Sequence, residues 1–228
     1  MKAHIKHLIP PAVLNTILLR FPFLYETTMV NFESNFQKTG DIQELLAQLA
    51  TTLDCEGDII ECGSSRCGTS AIMARYLRDR HISRHILSCD SYEGFDLAEL
   101  QREQAAGLTT ARSDAFTSTS YTYVTKKMMA LGLQDIVIPI KGYFQDTLPA
   151  LSGPFCCALI DCDLQDSLLF AAETLWPRLA SHGLLLFDDY LTPTFKGAKP
   201  GVDTFVEKHR HEIASHGLLT HFYVVRKP

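Results

Sequence analysis

Residues 58–70 read DIIECGSSRCGTS, and this stretch decides the fold class. A short apolar segment, DIIEC, runs into a loop carrying Gly63 and Gly68. TSAIMARYLRD (69–79) then spaces its apolar side chains at the helical period. Strand, glycine loop and helix in that order make the ligand-binding turn of an open α/β sheet. Glycines let the backbone approach a ligand closely, and the helix N-terminus presents free N–H groups.

The same alternation continues outward. HILSCD (85–90), DIVIPIKG (135–142), FCCALIDCD (155–163), GLLLFDD (183–189) and HFYVVRK (221–227) read as strands; DSLLFAAETLWPRL (166–179) and VDTFVEKHRHEI (202–213) read as helices. Strands apolar throughout are buried on both faces, as in a parallel sheet. The expectation is an α/β doubly wound, mostly parallel sheet of Rossmann-like type over residues 56–228. Residues 1–55 form a helical extension, with LIPPAVLNTILLRF (8–21) and DIQELLAQLATTL (41–53) as helices. Asp41 is expected to cap the second, with Glu44 three residues on as in a capping box. Residues 96–131, whose middle is rich in Ser and Thr, read as a long insert, either a lid or a solvated surface loop.

Composition narrows the partners. The chain has 228 residues, 46% hydrophobic and 21% charged, with a net charge of −5. That acidity gives no broad electrostatic footprint for nucleic acid and no attraction to an anionic membrane. No apolar run approaches the roughly 20 residues of a membrane span. Pro10, Pro11 and Arg20 interrupt the apolar N-terminal segment, so a secretory leader is not expected. The seven cysteines, Cys55, Cys62, Cys67, Cys89, Cys156, Cys157 and Cys162, form no C-x-x-C pair. They read as reduced, half-buried thiols of a cytoplasmic protein. The oligomeric state stays open, homo-oligomer included.

Polar residues gather where such sheets bind ligands, at the carboxyl ends of the strands. Glu61 stands two residues before Gly63, and Ser65 takes the middle-glycine position of the dinucleotide fingerprint. That disfavours a pyrophosphate and suits a ligand with an ammonium group, such as S-adenosylmethionine. Asp90, about 20 residues beyond Gly68, is placed to accept ribose hydroxyls. Asp161, Asp163, Asp188 and Asp189 end two strands expected to be neighbours. Converging carboxylates repel unless a cation neutralises them, and hard oxygens favour Mg²⁺. Scattered capping acids are the alternative.

The blocks ECGSSRCGTSA (61–71), CDSYEGF (89–95), KGYFQDTLP (141–149), IDCDLQDS (160–167) and FDDY (187–190), in this order, resemble the macrocin O-methyltransferase family across roughly residues 40–210. The resemblance implies the class I methyltransferase fold, S-adenosylmethionine and Mg²⁺ as cofactors, and methylation of sugar hydroxyls of natural products. It implies Asp161, Asp188 and Asp189 as metal ligands and Asp163 as general base. The expected cofactor contacts are Glu61, Gly63, Ser65, Gly68, Ser70, Asp90 and Ser91, with Gly142 and Tyr143 near the adenine. The partner is then a small-molecule acceptor bearing a hydroxyl. A catechol-like phenol as acceptor, a nucleotide-dependent oxidoreductase and a non-catalytic cofactor-binding module stand as alternatives.

Overall fold

The run at residues 58–62 forms strand β1 (Asp58–Cys62), buried from Ile59 onward. The structure is a computed structural model and describes residues 10–21, 33, 34, 36 and 39–228. Strand β1 lies between β2 (Ile86–Asp90) and β4 (Phe155–Ile160) and runs parallel to both. Outside these lie β3 (Val137–Lys141), paired with β2, and β5 (Leu179–Phe187), paired with β4, again parallel. The last two strands, β6 (Ser215–Leu218) and β7 (Tyr223–Arg226), form an antiparallel hairpin whose β7 adds antiparallel to β5. The order is β3-β2-β1-β4-β5-β7-β6. The direction of winding reverses between β1 and β4, and such a reversal opens a crevice at the carboxyl ends of the strands.

Eight α-helices occur among the described residues: α1 (Pro11–Arg20), α2 (Thr39–Ala50), α3 (Gly68–Asp79), α4 (Leu97–Ala105), α5 (Tyr121–Leu131), α6 (Phe144–Thr147), α7 (Gln165–Leu175) and α8 (Ala198–His209). Successive strand residues point to opposite faces, so Ile59 and Ile60 enter different cores. On one face Ile59 packs with Leu45 and Leu49 of α2, Ala71 and Leu77 of α3, and Val124 and Met128 of α5. On the other, Ile60 packs with Leu168 and Ala172 of α7 and with Val202 and Phe205 of α8. No helix among the described residues is long and apolar enough to cross a membrane. All seven cysteines are free, six of them buried and Cys55 half-buried.

Several expectations change. Residues 96–131 are not one loop but two helices, α4 and α5, joined by residues 106–120. Asp96 caps α4 by accepting from the Ala98 and Glu99 N–H groups, and Ser120 caps α5 by accepting from the Tyr123 N–H. The Ser/Thr richness that reads as loop therefore includes a helix start. Helix α2 begins at Thr39, so Asp41 lies in its first turn rather than at its cap. Glu44 closes no capping box; its carboxylate accepts the backbone N–H groups of Thr220, His221 and Phe222. Leu45 and Leu49 are fully buried, so this part of the extension shares the domain core. Strand β6 has no sequence signal, being short, mostly exposed and held by pairing with β7. Residues 1–9, the basic start of the N-terminal segment, and most of the connection at 22–38 lie outside the described residues.

Candidate functional site

At the carboxyl ends of the parallel strands lies an open cleft. Gly63, Ser65, Asp90, Ser91, Gly142 and Tyr143 line it, together with Asp161 and Asp163. Gly63 sits at φ +92°, and a Cβ there would overlap the Asp161 carbonyl. Only glycine lets the β1 loop pass this close to the end of β4. Asp90 is fixed from two sides: Oδ2 accepts the Ser65 N–H at 2.8 Å and Oδ1 the Tyr92 N–H at 2.6 Å. Burial pushes its carboxyl up, and those two backbone donors oppose the rise. With four lone-pair sites on its two oxygens, the carboxylate keeps acceptor capacity for a ligand hydroxyl.

Three expected cofactor contacts lie behind the cleft wall. Glu61 is buried and accepts a short hydrogen bond from Ser70 Oγ, which also meets Ser88 Oγ. Burial raises the Glu61 carboxyl to about 7. A Cβ on Gly68 would overlap the backbone of Glu33 and Ser34. This glycine thus admits the chain's own N-terminal segment at the start of α3.

The acids follow the strands as the sequence suggests, but their grouping differs. Strands β4 and β5 end side by side at Ile160 and Phe187. Beyond them Asp163 (φ +65°) and Asp189 (φ +49°) adopt left-handed conformations. Such backbone is uncommon for these residues and collects at functional sites. It brings one oxygen each from Asp161, Asp163 and Asp189 within 4.8 Å of one another. Burial, and then the charge of Asp189, pushes the Asp163 carboxyl up; burial, and then the charge of Asp188, does the same to Asp189. Oδ2 of Asp189 is buried with no hydrogen-bond partner. Three hard oxygens in a repelling group, with an unpartnered carboxylate oxygen on one of its members, fit a divalent cation such as Mg²⁺. The expected trio had Asp188 in place of Asp163. Asp188 instead sets Oδ1 at 2.5 Å from Nε2 of His221, which stands on the turn between β6 and β7.

A second buried network had no sequence signal. Glu33 pairs with Arg66 at 2.6 Å and with Lys127 at 3.2 Å, and accepts the Tyr123 hydroxyl at 2.5 Å. Lys127, fully buried in α5, also donates to the Arg66 carbonyl. Burial alone would raise the Glu33 carboxyl; the charges of Lys127 and Arg66 outweigh it and leave it below its ordinary value. The four residues come from three separate segments, so no local motif announces them.

A doubly wound sheet with its ligand cleft at this switch point defines a class. The structure superposes on the O-methyltransferase NovP with a TM-score of 0.65 at 20% identity, covering 82% of this chain and 78% of that one. It matches the calicheamicin methyltransferase CalS11 with a TM-score of 0.65 at 17% identity, covering 95% and 91%. The fold is that of the class I methyltransferases. More narrowly, the macrocin-O-methyltransferase (TylF) family profile matches residues 28–217, and the chain belongs to that family. It is 31% identical over 142 residues to 8-demethyl-8-(2,3-dimethoxy-alpha-L-rhamnosyl)-tetracenomycin-C 4'-O-methyltransferase of Streptomyces olivaceus, covering 59% of this chain and 53% of that protein. It is 27% identical over 139 residues to demethyldecarbamoylnovobiocin O-methyltransferase of Streptomyces niveus, with the same coverage. The chain spans about half the length of the curated relatives it matches.

Proposed function

We propose that this chain transfers a methyl group from S-adenosylmethionine to a hydroxyl of a small molecule, a sugar of a natural product, with a divalent cation at the acids. One observation carries the reading: Asp90, held by Ser65 and Tyr92, opens into the same cleft as Asp161 and Asp163. A carboxylate suited to ribose hydroxyls and a group of acids suited to a cation thus line one cleft, which supports the reading. Membership of the family and the names of the two Streptomyces relatives support the acceptor class.

In this reading Asp90 accepts the ribose hydroxyls, and Gly63 and Gly142 let the backbone come close. Asp161, Asp189 and the Asp188 oxygen that does not face His221 would hold the cation, and Asp163 would stand beside it. When bound, the cation supplies positive charge that lowers the pKa of an acceptor hydroxyl. Asp163 takes the hydroxyl proton on a carboxylate oxygen as the methyl passes from sulfur to oxygen. The left-handed turn at Asp163 aims this carboxylate into the cleft rather than along the strand.

The test is release of S-adenosylhomocysteine with label transfer to a panel of glycosylated acceptors, with Mg²⁺ and with excess chelator. Metal-dependent transfer to a sugar hydroxyl is expected. A chain whose melting is shifted by NAD and not by either S-adenosyl compound would defeat the reading.

A further inference from the structure

His221 touches the acid cluster from outside the parallel sheet, half-buried, and is held by its backbone and by its ring. Its turn, residues 220–222, delivers three consecutive backbone N–H groups to the Glu44 carboxylate of α2 at 2.9–3.1 Å. Its ring stands edge-on to Phe36 at 5.5 Å and to Phe222 at 4.7 Å. Phe36 and Phe222, themselves packed edge to face, are buried. Held this way, the imidazole sets Nε2 at 2.5 Å from Asp188 Oδ1, with Nδ1 turned toward Asp41 at 3.7 Å.

Asp188 and its neighbour Asp189 leave β5 together, and Asp189 belongs to the carboxylate trio. The contact is a close ion pair without hydrogen-bond geometry, and a carboxylate packed this tightly against an imidazole is restricted in rotation. We propose that His221 is a positioning residue for the cation site: it fixes Asp188 from behind, and through it the set of the Asp188–Asp189 pair that faces the cation. Asp188 can then offer the cation one oxygen at most, and it cannot swing into the trio as a two-toothed ligand. The hairpin β6–β7 and helix α2 are therefore parts of the cation site, although none of their residues lines the cleft. Partners of this kind behind a ligand commonly set metal affinity by about 10–100-fold.

This inference rests on the proposed cation site, and the experiment separates the two. Mn²⁺ binding is measured on the unsubstituted chain by the loss of the free-ion paramagnetic resonance signal, beside S-adenosylhomocysteine binding by calorimetry. His221→Phe keeps the ring packing and removes the nitrogen facing Asp188; it is expected to weaken Mn²⁺ binding about 10–100-fold while nucleoside affinity holds. His221→Gln can return an N–H to Asp188 and should recover part of the loss. Glu44→Gln, which loosens the turn and leaves His221 in place, should weaken Mn²⁺ binding less than His221→Phe, and serves if the Phe variant does not fold. His216→Gln, on the same hairpin with Tyr223 as its partner, should leave Mn²⁺ binding unchanged. Mn²⁺ affinity within twofold of the unsubstituted chain in both His221→Phe and Glu44→Gln overturns the positioning role. Equal losses of Mn²⁺ and nucleoside binding would mark His221 as structural only and also overturn it. An unsubstituted chain that takes up no Mn²⁺ or Mg²⁺ defeats the cation site itself.

Discussion

Glu33→Gln should destabilise the chain far more than a surface carboxylate change would. The Glu33 side chain is 4% exposed and faces Arg66, 14% exposed, and Lys127, 0% exposed. The glutamine keeps the shape and a hydrogen-bonding capacity but leaves two buried cations without this counter-charge. Breaking a buried pair by neutralising one partner costs about 3–5 kcal/mol. For a chain of this size that lowers Tm by roughly 6–20 °C. Burial has already pushed Lys127 down to about 8, so this lysine can shed its proton and limit the loss. Losing Glu33 lowers it further, so the gap between the two proteins should narrow as pH rises from 7 to 9. The Glu33 carboxyl is held below its ordinary value, so its contribution is present at neutral pH and is lost as pH falls below about 4.5. Urea unfolding at pH 7 measures the loss as a shift in midpoint at constant slope. The double variant Glu33→Gln/Lys127→Met removes one cation with the anion and should regain much of the stability. Arg66 follows Ser65, whose N–H holds Asp90, so nucleoside affinity should fall together with stability. A loss under about 1 kcal/mol in Glu33→Gln would show that the N-terminal segment is no part of the cooperative fold, and would refute the argument.

Other outcomes test the cleft. Asp90→Ala removes the acceptor for ribose hydroxyls and should weaken S-adenosylhomocysteine binding by at least tenfold, about 1.4 kcal/mol, with little change in Mn²⁺ binding by titration. Asp163→Asn keeps shape and removes basicity; turnover should fall about 10²–10⁴-fold, and a joint loss of Mn²⁺ binding would make Asp163 a ligand rather than the base. Burial raises Glu61 to about 7, so in the nucleoside-free chain its contribution is full below about 4.5 and is lost as pH rises to about 7. Melting curves of Glu61→Gln across that window should therefore show a flatter dependence on pH than the unsubstituted chain, and an equal slope would remove Glu61 as its source.

The alternation of apolar strands and helices is written along the chain, because burial on both faces demands continuous hydrophobic runs. So are the glycine loop after β1 and the acids beyond β4 and β5, since each lies within one local segment. From these follow the sheet, its winding and the edge on which a ligand sits. The hairpin partner β6 is exposed and unpatterned, and only pairing with β7 makes it a strand. Residues 96–131 read as loop because their caps are Ser and Asp, residue types shared by turns and helix starts. Which acids converge was decided in three dimensions. The left-handed turns at Asp163 and Asp189 redirect side chains that strand periodicity would place otherwise, and His221, more than 30 residues from Asp188, claims that carboxylate. Glu61, Ser70 and Gly68 look like ligand contacts from their spacing, yet two of them meet each other in the interior and the third meets the backbone of Glu33 and Ser34. Spacing along the chain determines which residues reach the same end of the sheet; the direction of each side chain there depends on backbone angles and on partners from distant segments, which only the folded chain brings together.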